Sequence, residues 1–189
     1  MRIFKYLFLY LLVVFICSCN ENIYEEQEGA WTGIIVPGKS IEGIKLGDSR
    51  EDVVEKLGQP TTGGIADGLF RSWLASDYTE GPHAGLSIYY LELKDGSHGP
   101  VDIIAAGTFY TGKTNEGIGI GSTLKNVHKF YGEPLSSRTG TVMNPARTCI
   151  ADNYCINQKH FEIYYEDSLI TGFSIGYFLP PPDEFNNCK

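Results

Sequence analysis

The chain has 189 residues, 13% of them aromatic, with 22 glycines and a formal net charge of −8. That composition suits a β-rich globular body with many turns rather than a disordered chain, and the length allows one core or two small ones. The acidic balance excludes nucleic acid as a partner, since phosphate binding needs Lys and Arg to neutralise charge, and it argues against docking on anionic headgroups.

Reading from the N-terminus, Arg2 and Lys5 precede eleven apolar or aromatic residues, Tyr6 through Ile16. A membrane-spanning helix needs about 20 such residues, so this run predicts a cleaved secretory segment. The stretch Ile16-Cys17-Ser18-Cys19 resembles the lipobox of bacterial lipoproteins. It predicts a signal peptide over residues 1–18, lipidation at Cys19 and an address in the cell envelope, at the outer membrane on its periplasmic or surface face. Cleavage removes two of fifteen basic residues and no acidic ones, leaving 13 basic against 23 acidic and a net charge of −10. Behind Cys19, Asn20 through Glu28 are polar and acidic with too few large aliphatics to fold, so residues 19–38 read as an acidic tether.

Residues 41–60, IEGIKLGDSREDVVEKLGQP, match residues 115–134, NEGIGIGSTLKNVHKFYGEP, at seven of twenty positions. The offset is 74, and Ile88-Tyr89-Tyr90 recurs at nearly the same offset as Ile163-Tyr164-Tyr165. The expected architecture is therefore α+β, two tandem repeats of about 75 residues, over 39–112 and over 113–189 with a Pro-rich tail. Within each copy a helix is predicted. Asp48 and Ser122 can cap it, and Glu51 sits where a capping-box partner reaches back. Val53 and Leu57, then Val127 and Tyr131, form its apolar stripe. Gly58 and Gly132 end it, each with a proline two residues on.

After each helix the pattern turns strand-like. The first copy offers strands at 69–75, 86–93 and 101–110, with a hairpin turn at Lys94-Asp95-Gly96. The second offers one around Cys149, then 161–166 and 169–178, joined at Asp167-Ser168. Phe161, Ile163 and Tyr165 alternate with His160, Glu162 and Tyr164, which predicts one buried and one wet face. Each unit should thus be a helix on one side of an antiparallel meander. Cys149 and Cys155 flank Asp152-Asn153, a candidate hairpin tip, and an exported chain permits a disulfide between them; a bond from Cys188 to either is the open alternative. Zinc is not expected, because a C-x5-C spacing without a histidine pair does not match its sites.

The pattern G-I-x-x-G-x-[ST]-x-x-x-V-x-x-x-x-G-x-P runs from Gly43 to Pro60 and again from Gly117 to Pro134. It resembles the SmpA/OmlA-type repeat of the small lipoprotein in the outer-membrane β-barrel assembly machine, and the tandem fold of the β-lactamase-inhibitor protein is similar. The resemblance implies a non-enzymatic binding scaffold and carries over no contact residue.

Gly107-Thr108-Phe109-Tyr110-Thr111-Gly112-Lys113-Thr114 matches the nucleotide-binding G-x-x-x-x-G-K-[ST] pattern. Its middle is β-favouring, and Gly117, Gly119 and Gly121 forbid the helix that must start at the lysine, so no nucleotide and no cofactor are expected. His83, His98, His128 and His160 are scattered, with no nucleophile and orienting acid to pair with them, and no catalytic residue is assigned. What remains is aromatic. Tyr89 and Tyr164 match across the copies and point away from the predicted core, with Leu91 on the same face. Exposed tyrosine beside apolar residues is the composition of protein-binding surfaces. The functional expectation is a lipid-anchored envelope protein that binds a protein partner through this face; the alternative is an inhibitor or immunity protein that blocks an enzyme.

Overall fold

The computed structural model describes residues 33–67, 72–143, 146–156 and 158–176. The expected signal peptide, Cys19, most of the tether and the Pro-rich tail lie outside these residues. Among those described, eight strands form one antiparallel sheet, with a two-stranded hairpin and two short helices. The class is mixed α and β.

Folding begins earlier than the predicted boundary at residue 39. β1 (Ile35–Val36) and β2 (Ser40–Ile41) form a small hairpin, and Ile35 is fully buried. Gly33 N–H donates to Glu42 Oε2, and Tyr110 Oη donates to Glu42 Oε1 at 2.6 Å, fastening this segment to a residue 68 positions away. α1 (Arg50–Leu57) follows, buried through Val53 and Leu57. Its N-cap is Ser49 rather than Asp48: the Ser49 side chain accepts from Asp52 N–H, and Asp52 Oδ2 accepts in return from Ser49 N–H. Moving the cap one residue makes Asp52 the third helical residue, so Asp52 takes the capping-box role expected of Glu51. Asp48 instead serves the preceding turn, where its Oδ2 accepts from Lys45 N–H.

β3 (Thr62–Asp67), β4 (Ser72–Tyr78), β5 (Leu86–Glu92) and β6 (His98–Ala106) then run as a meander. α2 (Leu124–Tyr131) is capped by Thr123, not Ser122, and buried through Val127. β7 (Ser136–Met143), β8 (Ala146–Ile156), β9 (Lys159–Glu166) and β10 (Leu169–Ile175) complete the sheet in the order β3-β4-β5-β6-β10-β9-β8-β7. The two central strands, β6 and β10, come from the two halves of the chain and meet over Ala106↔Phe173, Ala105↔Ser174 and Ile104↔Ile175.

The same small circuits occur before each helix. Gly47 N–H donates to Val101 O and Val101 N–H to Asp48 O; Gly121 N–H donates to Ile170 O and Ile170 N–H to Ser122 O. Ser122 Oγ accepts from Gly119 N–H as Asp48 does from Lys45. Both helices end where a glycine N–H, Gly58 or Gly132, returns to the carbonyl four residues back.

One apolar cluster joins both helices and the β1–β2 hairpin to one side of the sheet. It contains Ile35, Ile41, Val53 and Val127 together with Ile88, Tyr90, Ile163 and Tyr165. The alternation predicted for the Ile-Tyr-Tyr strands therefore holds on the core side. Phe161 stacks on Phe173 with centroids 5.7 Å apart, and Tyr131 meets Tyr154 and Phe161 edge-on.

The cysteine expectation is overturned. Cys149 carries a free thiol, and Cys155 is disulfide-bonded to a different partner. No hairpin separates the two residues: β8 runs straight from Ala146 to Ile156, and Asp152 and Asn153 are buried within it. Six residues of extended strand span about 20 Å, far beyond the ~7 Å limit for Cα atoms joined by a disulfide.

Candidate functional site

The strand registers define a second sheet face, opposite the helices. β5 contributes Ser87, Tyr89 and Leu91. β9 contributes His160, Glu162 and Tyr164, and β8 contributes Ala151, Asn153 and Cys155. Tyr89, Leu91 and Tyr164 thus lie on the predicted face, each half-buried. Tyr89 and Tyr164 are three strand spacings apart, about 14 Å across the sheet. They are also offset along the strands, so they belong to two separate stations.

At the first station Leu91 stands opposite Trp73 of β4. A side-chain Cβ at Gly99 would come within 3.1 Å of Leu91 Cβ, so the missing side chain on β6 makes room for Leu91. Trp73 is buried, and its indole N–H donates to Asp102 Oδ2 at 2.7 Å. Tyr89 lies between Ala75 and fully buried Ile103. Burial, and then the Asp77 charge, raise its phenol pKa, so the group stays a neutral donor.

The second station is a hydrogen-bonded carboxylate. Glu162 is 1% exposed. Arg138 Nη2 donates to Glu162 Oε1, and Tyr164 Oη donates to Oε2 at 2.7 Å. Ser174 Oγ also donates to Oε2, at 3.3 Å. The expectation of a wet strand face fails here because three side chains from β7, β9 and β10 close over the carboxylate. The Tyr164 ring covers Gly172, whose added Cβ would sit 3.4 Å from Tyr164 Cδ2. Burial first, then the Glu162 charge, hold the Tyr164 hydroxyl well above the usual phenol range.

Arg138, Glu162, Ser174, Trp73 and Asp102 escaped the sequence reading. Glu162 was visible as the polar member of an alternating strand, but its partners on neighbouring strands required the topology.

The four histidines occupy separate places in the fold. His83 and His98 pack edge-on against Tyr78 and Tyr90 on the core side. His128 Nε2 lies 3.7 Å from Asp152 Oδ2, and Ser137 Oγ donates to Asp152 Oδ1. These are the residue types of a hydrolytic triad in an unproductive order. The carboxylate separates serine from imidazole, so the histidine has no hydroxyl proton to remove. His160 lies on the helix-free face beside Cys155, and burial lowers its pKa to about 4. In the nucleotide-like stretch Tyr110 is buried against Glu42, and no helix starts between Lys113 and Leu124. Among the described residues no group of three or more His, Cys, Asp or Glu side chains is placed to hold a metal ion.

No family model and no curated protein matches the chain. Among solved structures it is similar to a DUF4309 family protein, YjgB, from Bacillus subtilis subsp. subtilis strain 168. The identity is 17%, over 77% of this chain and 88% of that one, with a TM-score of 0.47. It is also similar, at 12% identity over 70% of this chain and 84% of the other, to a candidate β-lactamase inhibitor protein from Streptococcus mutans, with a TM-score of 0.27.

Proposed function

We propose that this chain is a lipid-anchored, non-enzymatic binding module that offers the helix-free face of its sheet to another protein. The observation that carries the reading is the pairing of two built stations on one face. One is aromatic and apolar, at Tyr89, Leu91 and Trp73; the other is a preorganised cluster, Arg138–Glu162–Tyr164–Ser174. Rigid aromatic side chains give contact area at low entropic cost, and polar groups already held in place lose little freedom on binding. The mirror order of the strands and the matching circuits before α1 and α2 further support a tandem origin, in which residues 39–112 and 113–189 each contribute a helix and four strands.

The test replaces Tyr89, Leu91 or Arg138, one at a time, with a photo-crosslinking residue in the full exported chain, and Lys125 or Lys129 of α2 for comparison. Adducts from the sheet positions and none from α2 are expected. Adducts from α2 alone, or none from a chain shown to be in the envelope, would overturn the reading. Replacing Cys19 with Ala should release the chain from membranes, and an unacylated mature N-terminus would remove the anchor from the proposal. If the captured partner is an enzyme whose turnover falls on binding, the module acts as an inhibitor.

A further inference from the structure

The eight-stranded sheet ends in two edges, β3 and β7. An edge presents unpaired N–H and C=O groups, and proteins ordinarily shield it with charge, proline or a bulge. β7 carries such a charge in Arg138, which is held on Glu162. β3 has none of these devices. From Thr62 to Ala66 it bears no charge and no proline, and its six pairs with β4 run without a register shift. Thr62, Gly63, Gly64 and Ile65 are all exposed. We propose that β3 is a homodimerisation edge: β3 of a second copy of this chain adds antiparallel to it, Ile65 on Ile65 at the two-fold axis, and joins two sheets into one.

The glycines of β3 separate what the chain itself requires from what it leaves for a partner. Gly63 is required within the chain, because a Cβ there would lie 2.8 Å from Ala75 O. Gly64 is not. A Cβ on it would meet nothing within 4 Å, and its backbone is ordinary extended strand that any residue adopts. Glycine inside a strand weakens it and marks places where another backbone comes close. No group of this chain fills that place at Gly64, and an added strand would.

A second copy fits this edge because the strand complements itself. Directly opposed residues of an antiparallel pair project to the same face, so a two-fold axis perpendicular to the sheet can pass through Ile65. That register sets Ile65 on Ile65, Gly64 on Ala66 and Gly63 on Asp67. The exposed isoleucines then cover each other, small residues face small ones on the other side, and Asp67 meets no like charge. An isologous contact uses one patch twice, so a single exposed apolar side chain serves both partners.

The same axis leaves both helix-free faces on one side of the joined sheet. Resting on the binding role proposed above, this gives two copies of each station on one continuous surface, suited to a bivalent partner. A six-residue strand pair falls well short of the ~1,200 Å² of a stable complex. The dimer is therefore reversible and forms at high local concentration.

The experiment introduces Ile65→Cys and Phe109→Cys separately into the full exported chain, purified in detergent and oxidised at high concentration. Opposed Cα atoms in an antiparallel pair lie about 4.5–5.5 Å apart, within the span of a disulfide. After trypsin, Ile65→Cys should give the peptide of residues 57–71 linked to itself. It should form several-fold faster than Phe109→Cys links residues 95–113, although Phe109 is the more exposed, at 76% against 66%. Wild-type chain should dimerise with concentration in sedimentation velocity. Ile65→Lys, which sets two like charges on the axis, should stay monomeric with an unchanged far-UV circular dichroism spectrum. Equal crosslinking of the two cysteines, a wild-type chain still monomeric at millimolar concentration, or a dimer that survives Ile65→Lys would overturn the edge. Only the chain itself is present in these measurements, so they stand or fall separately from the partner capture that tests the binding face.

Discussion

At the residue scale, the helix-free face of the sheet carries buried, hydrogen-bonded polar side chains. Glu162 is the extreme case, a buried carboxylate with three donors, of which only Arg138 carries charge. Removing one partner of a buried pair costs about 3–5 kcal/mol. Because the Arg138 side chain is 43% exposed, Arg138→Ala should fall near the low end, about 3 kcal/mol by urea denaturation. Adding Glu162→Gln should recover much of that loss, and a double mutant no more stable than the single would show the pair to be incidental. His160 supplies a pH dependence of definite sign. Its folded pKa of about 4 lies below the ordinary imidazole value of 6.5, so between these values the unfolded chain binds more protons. Stability should therefore fall as pH drops through that window, by at most ~1.4 kcal/mol per unit and less for a half-buried ring. His160→Gln should flatten this component relative to wild type, and identical slopes for both chains would contradict the burial. None of these roles was legible in sequence: Arg138 and Glu162 are 24 residues apart, Glu162 and Ser174 twelve, and only strand order brings them together.

At the scale of elements, local grammar was legible where it was self-contained. The helices, their glycine stops and their buried valines follow from spacing within a dozen residues, and only the caps slipped by one. They slipped because Asp48 and Ser122 are also competent oxygen acceptors, and the turn ahead of each helix takes them first. Ser49→Ala and Thr123→Ala should each cost about 1 kcal/mol, the usual loss for an N-cap hydroxyl. The two sites share no partner, so the double mutant should be additive in chemical denaturation. An effect at Asp48 or Ser122 with none at Ser49 or Thr123 would restore the original assignment. Within the eight-stranded sheet, the strands missed were the outer ones. β3 begins Thr62-Gly63-Gly64 and leaves Ile65 66% exposed, while β7 is rich in serine and threonine. Edge strands bury little, so they carry neither the apolar alternation nor the aromatic enrichment that marks a central strand.

At the scale of the whole molecule, the decisive feature is the joint between the halves. β6 and β10 share three register pairs, whereas β4 and β5 share six and β7 and β8 share eight. A sheet so briefly joined could be two units that unfold separately. The core argues otherwise, because one apolar cluster holds Val53 and Ile88 together with Val127 and Ile163. The β1–β2 hairpin is also bonded across to Lys113, by Ile35 N–H to Lys113 O and Lys113 N–H to Gly33 O. Disrupting either half therefore exposes apolar surface of the other, which is the condition for a single cooperative transition. Tryptophan fluorescence, which includes Trp73 in the first half, and far-UV circular dichroism, which reports all strands, should give coincident urea curves. Phe173→Ala at the seam removes a fully buried ring stacked on Phe161. Such truncations cost about 3–5 kcal/mol, and here both curves should move together by that amount. A second transition in the variant, with fluorescence and dichroism parting, would mean that the seam alone had coupled two independently stable halves.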